Sequence, residues 1–320
     1  MSAILLTGAS GFIGQALARR LAADNHRLRL ATRSPLPDCP AGAEVFRFAG
    51  LDPATDWTPA LTGIEVLIHC AGRAHVMTEI AADPLAEFLR INTDATARLA
   101  SQAARAGVRR FVFVSTAKVC GERTRPGTAF TTETTPVPAD PYALSKLDAE
   151  RALRAQAASG DMEFVIVRPP LVYGPGVKAN FLRLLQWLDR GLPLPLADID
   201  NRRSLVALDN LVDLLARCAA HPAAANRIWY ASDGEDLSTP ELLRRLGMAL
   251  GKPARLFHAP AWLLGGGARL FGRRALTDRL YASLQVDIAP TRRLLAWSPP
   301  CTVDMALART VEHFRACPRR

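Results

Sequence analysis

The chain has 320 residues, 49% of them hydrophobic, and a formal net charge of +10. That is enough apolar material for a large core and up to two domains, while charge breaks every apolar run well short of the roughly 20 residues a membrane helix needs. The positive charge is spread over Arg-Arg pairs at 19–20, 109–110, 202–203, 244–245, 273–274, 292–293 and 319–320. It forms no stripe with a recognisable nucleic-acid module, so nucleic acid is not the expected partner, and a small anionic substrate suits the charge equally well.

In chain order, Ala3-Ile4-Leu5-Leu6-Thr7 reads as a short buried strand. No basic region precedes it, which predicts a cytoplasmic location. A glycine turn and a helix over about 12–23 follow, then strands near 27–32, 44–48 and 65–69, with a short helical turn near 57–61 between the last two. A long helix is predicted from about 84 to 106, ended by Gly107. Next come a strand at 109–115, a Thr- and Pro-rich loop over 121–140, a helix over about 141–159 and a strand at 163–168. Strand and helix alternate throughout, which predicts an α/β fold: a Rossmann-like parallel sheet with helices on both faces.

After Pro169-Pro170 the pattern loosens. A helix near 179–190, a helix near 209–220 with a strand at 227–231, and mostly helical segments at 238–250, 260–272 and 302–316 are expected. The expected domains are a dinucleotide-binding unit of 1–170 with 204–235 and a smaller, mostly helical substrate unit of 171–203 with 236–320. Segment 261–274, apolar with arginines at its end, reads as a packed helix in preference to a membrane-surface helix. Cysteines at 39, 70, 120, 218, 301 and 317 contain no CxxC pair, and the histidines are equally scattered. Neither a disulfide nor a metal is expected, His69, Cys70 and His75 being the nearest approach to a metal cluster.

Gly8-Ala9-Ser10-Gly11-Phe12-Ile13-Gly14 lies between the first strand and the first helix. Glycines there allow a tight turn and close backbone approach to a pyrophosphate, which the helix N-terminus then attracts. A dinucleotide is the implied ligand. The end of the second strand reads Leu30-Ala31-Thr32-Arg33-Ser34, with no acid to hold a ribose 2′-hydroxyl. Arg33 would attract a 2′-phosphate, which favours NADP(H) and leaves NAD(H) as the alternative. Tyr142 and Lys146 are four apart at the start of a predicted helix, and so share one face. A phenol near a lysine ammonium and a cationic nicotinamide is pushed toward phenolate and can exchange a proton with a substrate oxygen while hydride moves at carbon. Ser115 and Thr116 end the preceding strand, where hydroxyls can orient the same oxygen.

With these motifs in place the chain resembles the extended short-chain dehydrogenase/reductases of the nucleotide-sugar epimerase/dehydratase type. The resemblance rests on Gly8, Gly11 and Gly14, on Thr116, Tyr142 and Lys146, on His69-Cys70-Ala71-Gly72 and Asn92, and on Arg168-Pro169-Pro170 with Tyr173-Gly174-Pro175-Gly176. It weakens after about 235. It implies a catalytic trio of Thr116, Tyr142 and Lys146. It implies a cofactor set of Gly8, Ser10, Gly11, Phe12, Ile13, Gly14, Arg33, Leu51, Cys70, Ala71, Gly72, Asn92 and Ser115 with Tyr142 and Lys146, and a UDP-sugar set of His75, Thr116, Lys118, Asn180 and Arg203. It also implies a homodimer through the helices near 84–106 and 141–159, for which Leu85, Phe88, Leu89 and Leu99 offer apolar material.

Two departures stand out. Gly50-Leu51 lacks the Asp that often reads adenine, and Cys120 replaces a usual Tyr, read as pocket lining. Dehydration would need an acid and a base after Thr116, where Ala117-Lys118 stands instead. The remaining reactions are 4-keto reduction and 4-epimerisation. Segments 71–77, 178–183 and 200–205 resemble a subgroup of bacterial surface-polysaccharide enzymes. Some of these reduce a UDP-2-acetamido-2,6-dideoxy-4-keto-hexose to UDP-N-acetylquinovosamine, and others carry the name 4-epimerase. Arg33 favours the reductase. A cofactor-binding protein without catalysis is the rival from another class, and the intact Thr116, Tyr142 and Lys146 argue against it.

Overall fold

The structure is a computed structural model that describes residues 1–36, 38–74, 82–258 and 281–316. The expected helix at 260–272 and the residues His75 and Cys317 lie outside these. Strands β1 (Ala3–Thr7), β2 (Arg27–Thr32), β3 (Glu44–Arg47), β4 (Val66–His69), β5 (Arg110–Val114), β6 (Glu163–Arg168) and β9 (Arg227–Tyr230) form one seven-stranded sheet in the order β3-β2-β1-β4-β5-β6-β9. Every pairing in it is parallel. The order reverses between β1 and β4, the point at which such sheets open a crevice for ligand at their carboxyl ends.

Helices cover both faces, as the alternation requires. Ile4 and Leu6 of β1 face Leu17 and Leu21 of α1 (Phe12–Ala23) and Leu211 and Leu215 of α7 (Leu208–Ala220). The alternate residue Leu5 turns the other way, to Trp57 ahead of α2 (Thr58–Leu61), Leu99 and Ala103 of α4 (Ala95–Arg105), and Leu153 of α5 (Pro141–Ala158). Both faces of β1 are therefore core, which is why it reads as an unbroken apolar run.

The long helix expected near 84–106 is interrupted. It runs as α3 (Pro84–Phe88), a π-helical stretch at Leu89–Asp94, then α4. Such a stretch takes in an extra residue, a distortion frequent at functional sites, and here it carries the buried Asn92. Of the four residues offered for a dimer face, Leu99 is fully buried and Phe88 nearly so, Leu89 is half-buried, and Leu85 is exposed.

A second core gathers Phe181, Leu185 and Leu188 of α6 (Ala179–Asp189), Leu243 and Leu246 of α8 (Thr239–Ala249), and Leu307 and Val311 of α10 (Val303–Ala316). A three-stranded sheet of β7 (Leu171–Tyr173), β8 (Arg203–Ala207) and β10 (Asp236–Leu237), together with α9 (Ala289–Leu295), was not foreseen in the loosened pattern. Among the described residues no helix is long and apolar enough to cross a membrane, and no group of three potential metal ligands occurs.

Arg110, 1% exposed, ties β5 to the end of α7. Its Nη1 donates to the carbonyls of Cys218, Ala219 and His221 at 2.9, 3.1 and 2.9 Å, and its Nε pairs with Glu163 at 2.7 Å. Arg110→Met should cost about 3 kcal/mol, the low end for breaking a buried pair because Glu163 is partly exposed. A urea-unfolding midpoint equal to that of the native chain would contradict this.

Candidate active site

The glycine turn is a close-packed joint. Gly8 has φ +72°, a left-handed conformation that favours glycine, and a Cβ on it would lie 2.7 Å from the backbone N of Ala71 beyond β4. A Cβ on Gly14 would lie 2.0 Å from the Gly8 carbonyl oxygen. The Gly11 N–H donates to that same oxygen at 2.9 Å. No side chain caps α1 at Gly11, so the first-turn N–H groups stay available to an anion. Glycines that admit close backbone approach, with an uncapped helix start, fit a dinucleotide pyrophosphate. Ser10 is exposed, and Phe12 and Ile13 are half-buried on the first turn of α1.

Beside this turn the end of β4 is held by neutral groups. The Thr7 hydroxyl lies 2.7 Å from His69 Nδ1, and His69 Nε2 lies 3.1 Å from the Thr96 hydroxyl. Burial, reinforced by Lys146, pulls the imidazole down to about 3, so it is uncharged near neutrality. Burial pushes the neighbouring Cys70 thiol up to about 12. Asn92 reaches from the π-helical stretch to Arg73, accepting its N–H at 2.7 Å and donating to its carbonyl at 3.0 Å. Its amide also donates to the Ser145 hydroxyl at 2.9 Å. In this structure Asn92 clamps the segment after Cys70-Ala71-Gly72 to the helix carrying Tyr142.

Asp140 starts that helix. It is the N-cap of α5, its carboxylate accepting the Ala143 N–H at 2.7 Å. Tyr142 then packs against Phe88 in a T-shaped pair, 6.2 Å between centroids. One turn on, Lys146 is buried with its ammonium 3.8 Å from the centre of the Phe113 ring on β5. Burial lowers Lys146 to about 7, against the raising influence of Glu150 and Cys70. In the cofactor-free protein burial, with the Asp140 charge, raises the Tyr142 phenol to about 12. Any bias toward phenolate must therefore come with a bound cation.

Thr116 is buried at the end of β5, where its hydroxyl accepts the Lys118 N–H at 3.3 Å. Lys118 pairs with Glu122 at 2.8 Å and with Asp140, joining the turn after Thr116 to the helix cap before Tyr142. Ser115 donates its hydroxyl to Glu150. The buried sulfur of Cys120, expected to line the pocket, faces the Tyr230 hydroxyl at 3.2 Å and Arg168 at 3.4 Å. Arg33 is exposed at the end of β2, beside a turn in which the Thr32 hydroxyl donates to the Ser34 carbonyl. Leu51 is half-buried against the Trp57 cluster, and the following Asp52 pairs with Arg90. Asn180 is half-buried in the first turn of α6, and Arg203 opens β8 with Nη1 donating to the Ala282 carbonyl at 2.8 Å.

Sequence reasoning missed Asp140 and Glu150. An Asp before Pro141 at a helix start was a readable cap signal. Glu150, eight residues after Tyr142 and four after Lys146, was readable as the same helix face.

Residues 4–230 match the NAD dependent epimerase/dehydratase family, and the chain belongs to it. The chain is 42% identical over 313 residues to a UDP-glucose 4-epimerase of Vibrio cholerae, covering 97% of this chain and 95% of that protein. MoeE5, solved in complex with UDP-glucose and NAD, matches the structure with a TM-score of 0.78 at 25% identity over 98% of each chain. RMD from Pseudomonas aeruginosa, complexed with NADPH, shares the fold at a TM-score of 0.75 and 23% identity, over 99% of this chain and 100% of that one.

The buried lysine has a measurable consequence. Because its folded value lies below the 10.5 of the free side chain, the unfolded state binds more protons between about pH 7 and 10. Its cost is fully present below pH 7 and is relieved as pH rises. Lys146→Met in the cofactor-free protein should therefore be more stable than the native chain at pH 7, with the difference shrinking by about 1.4 kcal/mol per pH unit toward pH 10. A pH-independent difference in unfolding free energy would contradict a buried, depressed Lys146.

Proposed function

We propose that this enzyme transfers hydride at C4 of a UDP-linked sugar, with Tyr142 exchanging the proton of the C4 oxygen. The observation that carries the reading is Lys146, a cation buried one helical turn beyond Tyr142 on the helix laid across the end of β5. A nicotinamide dinucleotide bound at the glycine turn supplies the hydride chemistry. The turn at Gly8, Gly11 and Gly14 and the uncapped start of α1 would hold its pyrophosphate, and Lys146 its nicotinamide ribose. Thr116 would donate a hydrogen bond to the same C4 oxygen, a preorganised donor at developing charge. The second core around α6 and β8 is the proposed sugar-nucleotide unit, with Asn180 and Arg203 directed to the substrate pyrophosphate. The relative named UDP-glucose 4-epimerase, and MoeE5 with its UDP-glucose, support a UDP-sugar as substrate.

Between reactions, dehydration is disfavoured: Ala117 has no proton to give, and the Lys118 ammonium is engaged by Glu122 and Asp140. The exposed Arg33, with no carboxylate at the end of β2, supports NADPH and hence reduction of a UDP-2-acetamido-2,6-dideoxy-4-keto-hexose. The second reading is a 4-epimerase using NAD, and the 42% identical relative favours it.

One assay separates them. With NADPH and UDP-4-keto-6-deoxy-N-acetylhexosamine, reduction predicts stoichiometric loss of 340 nm absorbance and a 4-hydroxy product, and Arg33→Ala should weaken NADPH selectively over NADH. Interconversion of UDP-hexoses without net cofactor change would overturn the reductase in favour of the epimerase. Tight dinucleotide binding with neither activity would overturn both.

A further inference from the structure

A buried ion pair lies beneath the candidate site. The side chains of Arg168, at the end of β6, and Glu150, on α5, are 3% and 2% exposed. They meet in a two-pronged contact, Nη2 to Oε2 at 2.6 Å and Nε to Oε1 at 3.0 Å. The same Oε1 accepts the Ser115 hydroxyl at the end of β5. Arg168 Nη1 turns to Cys120 at 3.4 Å and to the Tyr230 hydroxyl, on β9, at 3.3 Å. One carboxylate thus joins α5 to two neighbouring strand ends directly, and to a third strand through its arginine.

Such a pair is weak evidence for stability, since well-packed apolar residues often replace buried ion pairs without loss. Its position is more telling. Glu150 follows Lys146 by one helical turn and Tyr142 by two, and its Ser115 contact is one residue from Thr116. The remaining groups around Lys146 are poor countercharges. Cys70 is held as a thiol, His69 is neutral, Phe113 offers only a ring face, and Asp140 stands at the helix cap ahead of Tyr142, bonded to Lys118 and the Ala143 N–H. Ser145 and Asn92 are uncharged and bonded to each other.

We propose that Glu150 is the positioning residue of the catalytic helix. Clamped by Arg168 and Ser115, it holds Thr116, Tyr142 and Lys146 in one frame, and its carboxylate is the countercharge of the Lys146 ammonium. The inference rests on the reading above that Tyr142 and Lys146 act together, but its first readout needs neither substrate nor cofactor. Of the influences that favour the charged lysine, Glu150 is the largest.

The chain has four lysines, at 118, 146, 178 and 252, so the side-chain carbon signal of Lys146 can be followed by NMR in lysine-labelled, cofactor-free protein. Lys146→Met assigns it. Glu150→Gln keeps an acceptor for Ser115 and removes the charge; the Lys146 midpoint should fall by about one pH unit or more. The alkaline limb of turnover should fall with it, and Glu150→Asp should restore part of both. Glu150→Gln/Arg168→Met leaves no arginine without its carboxylate; compared with Arg168→Met alone it should show the same fall in the Lys146 midpoint, and it carries the test if the single variant does not fold. An unchanged Lys146 midpoint in the folded variant overturns the proposal, whatever happens to activity. A lowered midpoint with an unmoved turnover profile supports the charge pairing and overturns the reading of Lys146 as the partner of Tyr142.

Discussion

The burial of one ammonium group organises the structure around the crevice. Lys146 sits 4% exposed on a helix pressed to the sheet, where a charge loses nearly all of its water. Everything near it is arranged to tolerate that charge without competing for it. The Phe113 ring offers a negative face, Glu150 lies a turn away, and the imidazole and thiol at the end of β4 are kept neutral by burial. A cation so placed is disfavoured in the free protein and is relieved by an acceptor or an anion entering the crevice. A lysine so placed suits the binding and proton-transfer role proposed for it.

Precision in this region comes from contacts that permit no slack. Gly8 and Gly14 bring β1, α1 and the segment beyond β4 within van der Waals limits that no side chain could meet. On the other side, α5 is fixed to β5 and its following turn by three contacts of different kinds: Lys118 with Asp140, Lys146 over Phe113, and Ser115 with Glu150. Asn92 closes the gap between these two halves by bonding to Arg73 and Ser145 together. Thr116, Tyr142 and the glycine turn therefore belong to one rigid frame built on the carboxyl ends of parallel strands.

Features carried by local pattern were legible in the sequence. The strand at 163–168 and the helices opening at Phe12 and Pro141 lie where the apolar pattern and the glycine turn put them. The family was legible in Gly8, Gly11 and Gly14 and in Tyr142 with Lys146, because their chemistry depends on spacing along the chain. What escaped depends on partners far away in sequence. β8 pairs with strands on both sides of it in the chain, at Leu171 and Asp236, so no short window reveals it. The π-helical stretch around Asn92 is flanked by α-helix on both sides, so local pattern reads one continuous helix. Cys120 faces Tyr230 and Arg168 only once β6 and β9 are adjacent. The direction in which Tyr142 titrates follows from burial and from Asp140, and the motif is silent on burial.

The measurement that bears most directly on this account is Tyr142→Phe, followed both by turnover and by dinucleotide affinity. Removing the phenolic hydroxyl leaves the ring against Phe88 and leaves Lys146 and the glycine turn untouched. Turnover should fall by about 10²–10⁴, the worth of a positioned proton-transfer group, with dinucleotide affinity unchanged. Near-native turnover in the folded variant would contradict the account, because the proton would then be reaching the substrate oxygen from another residue.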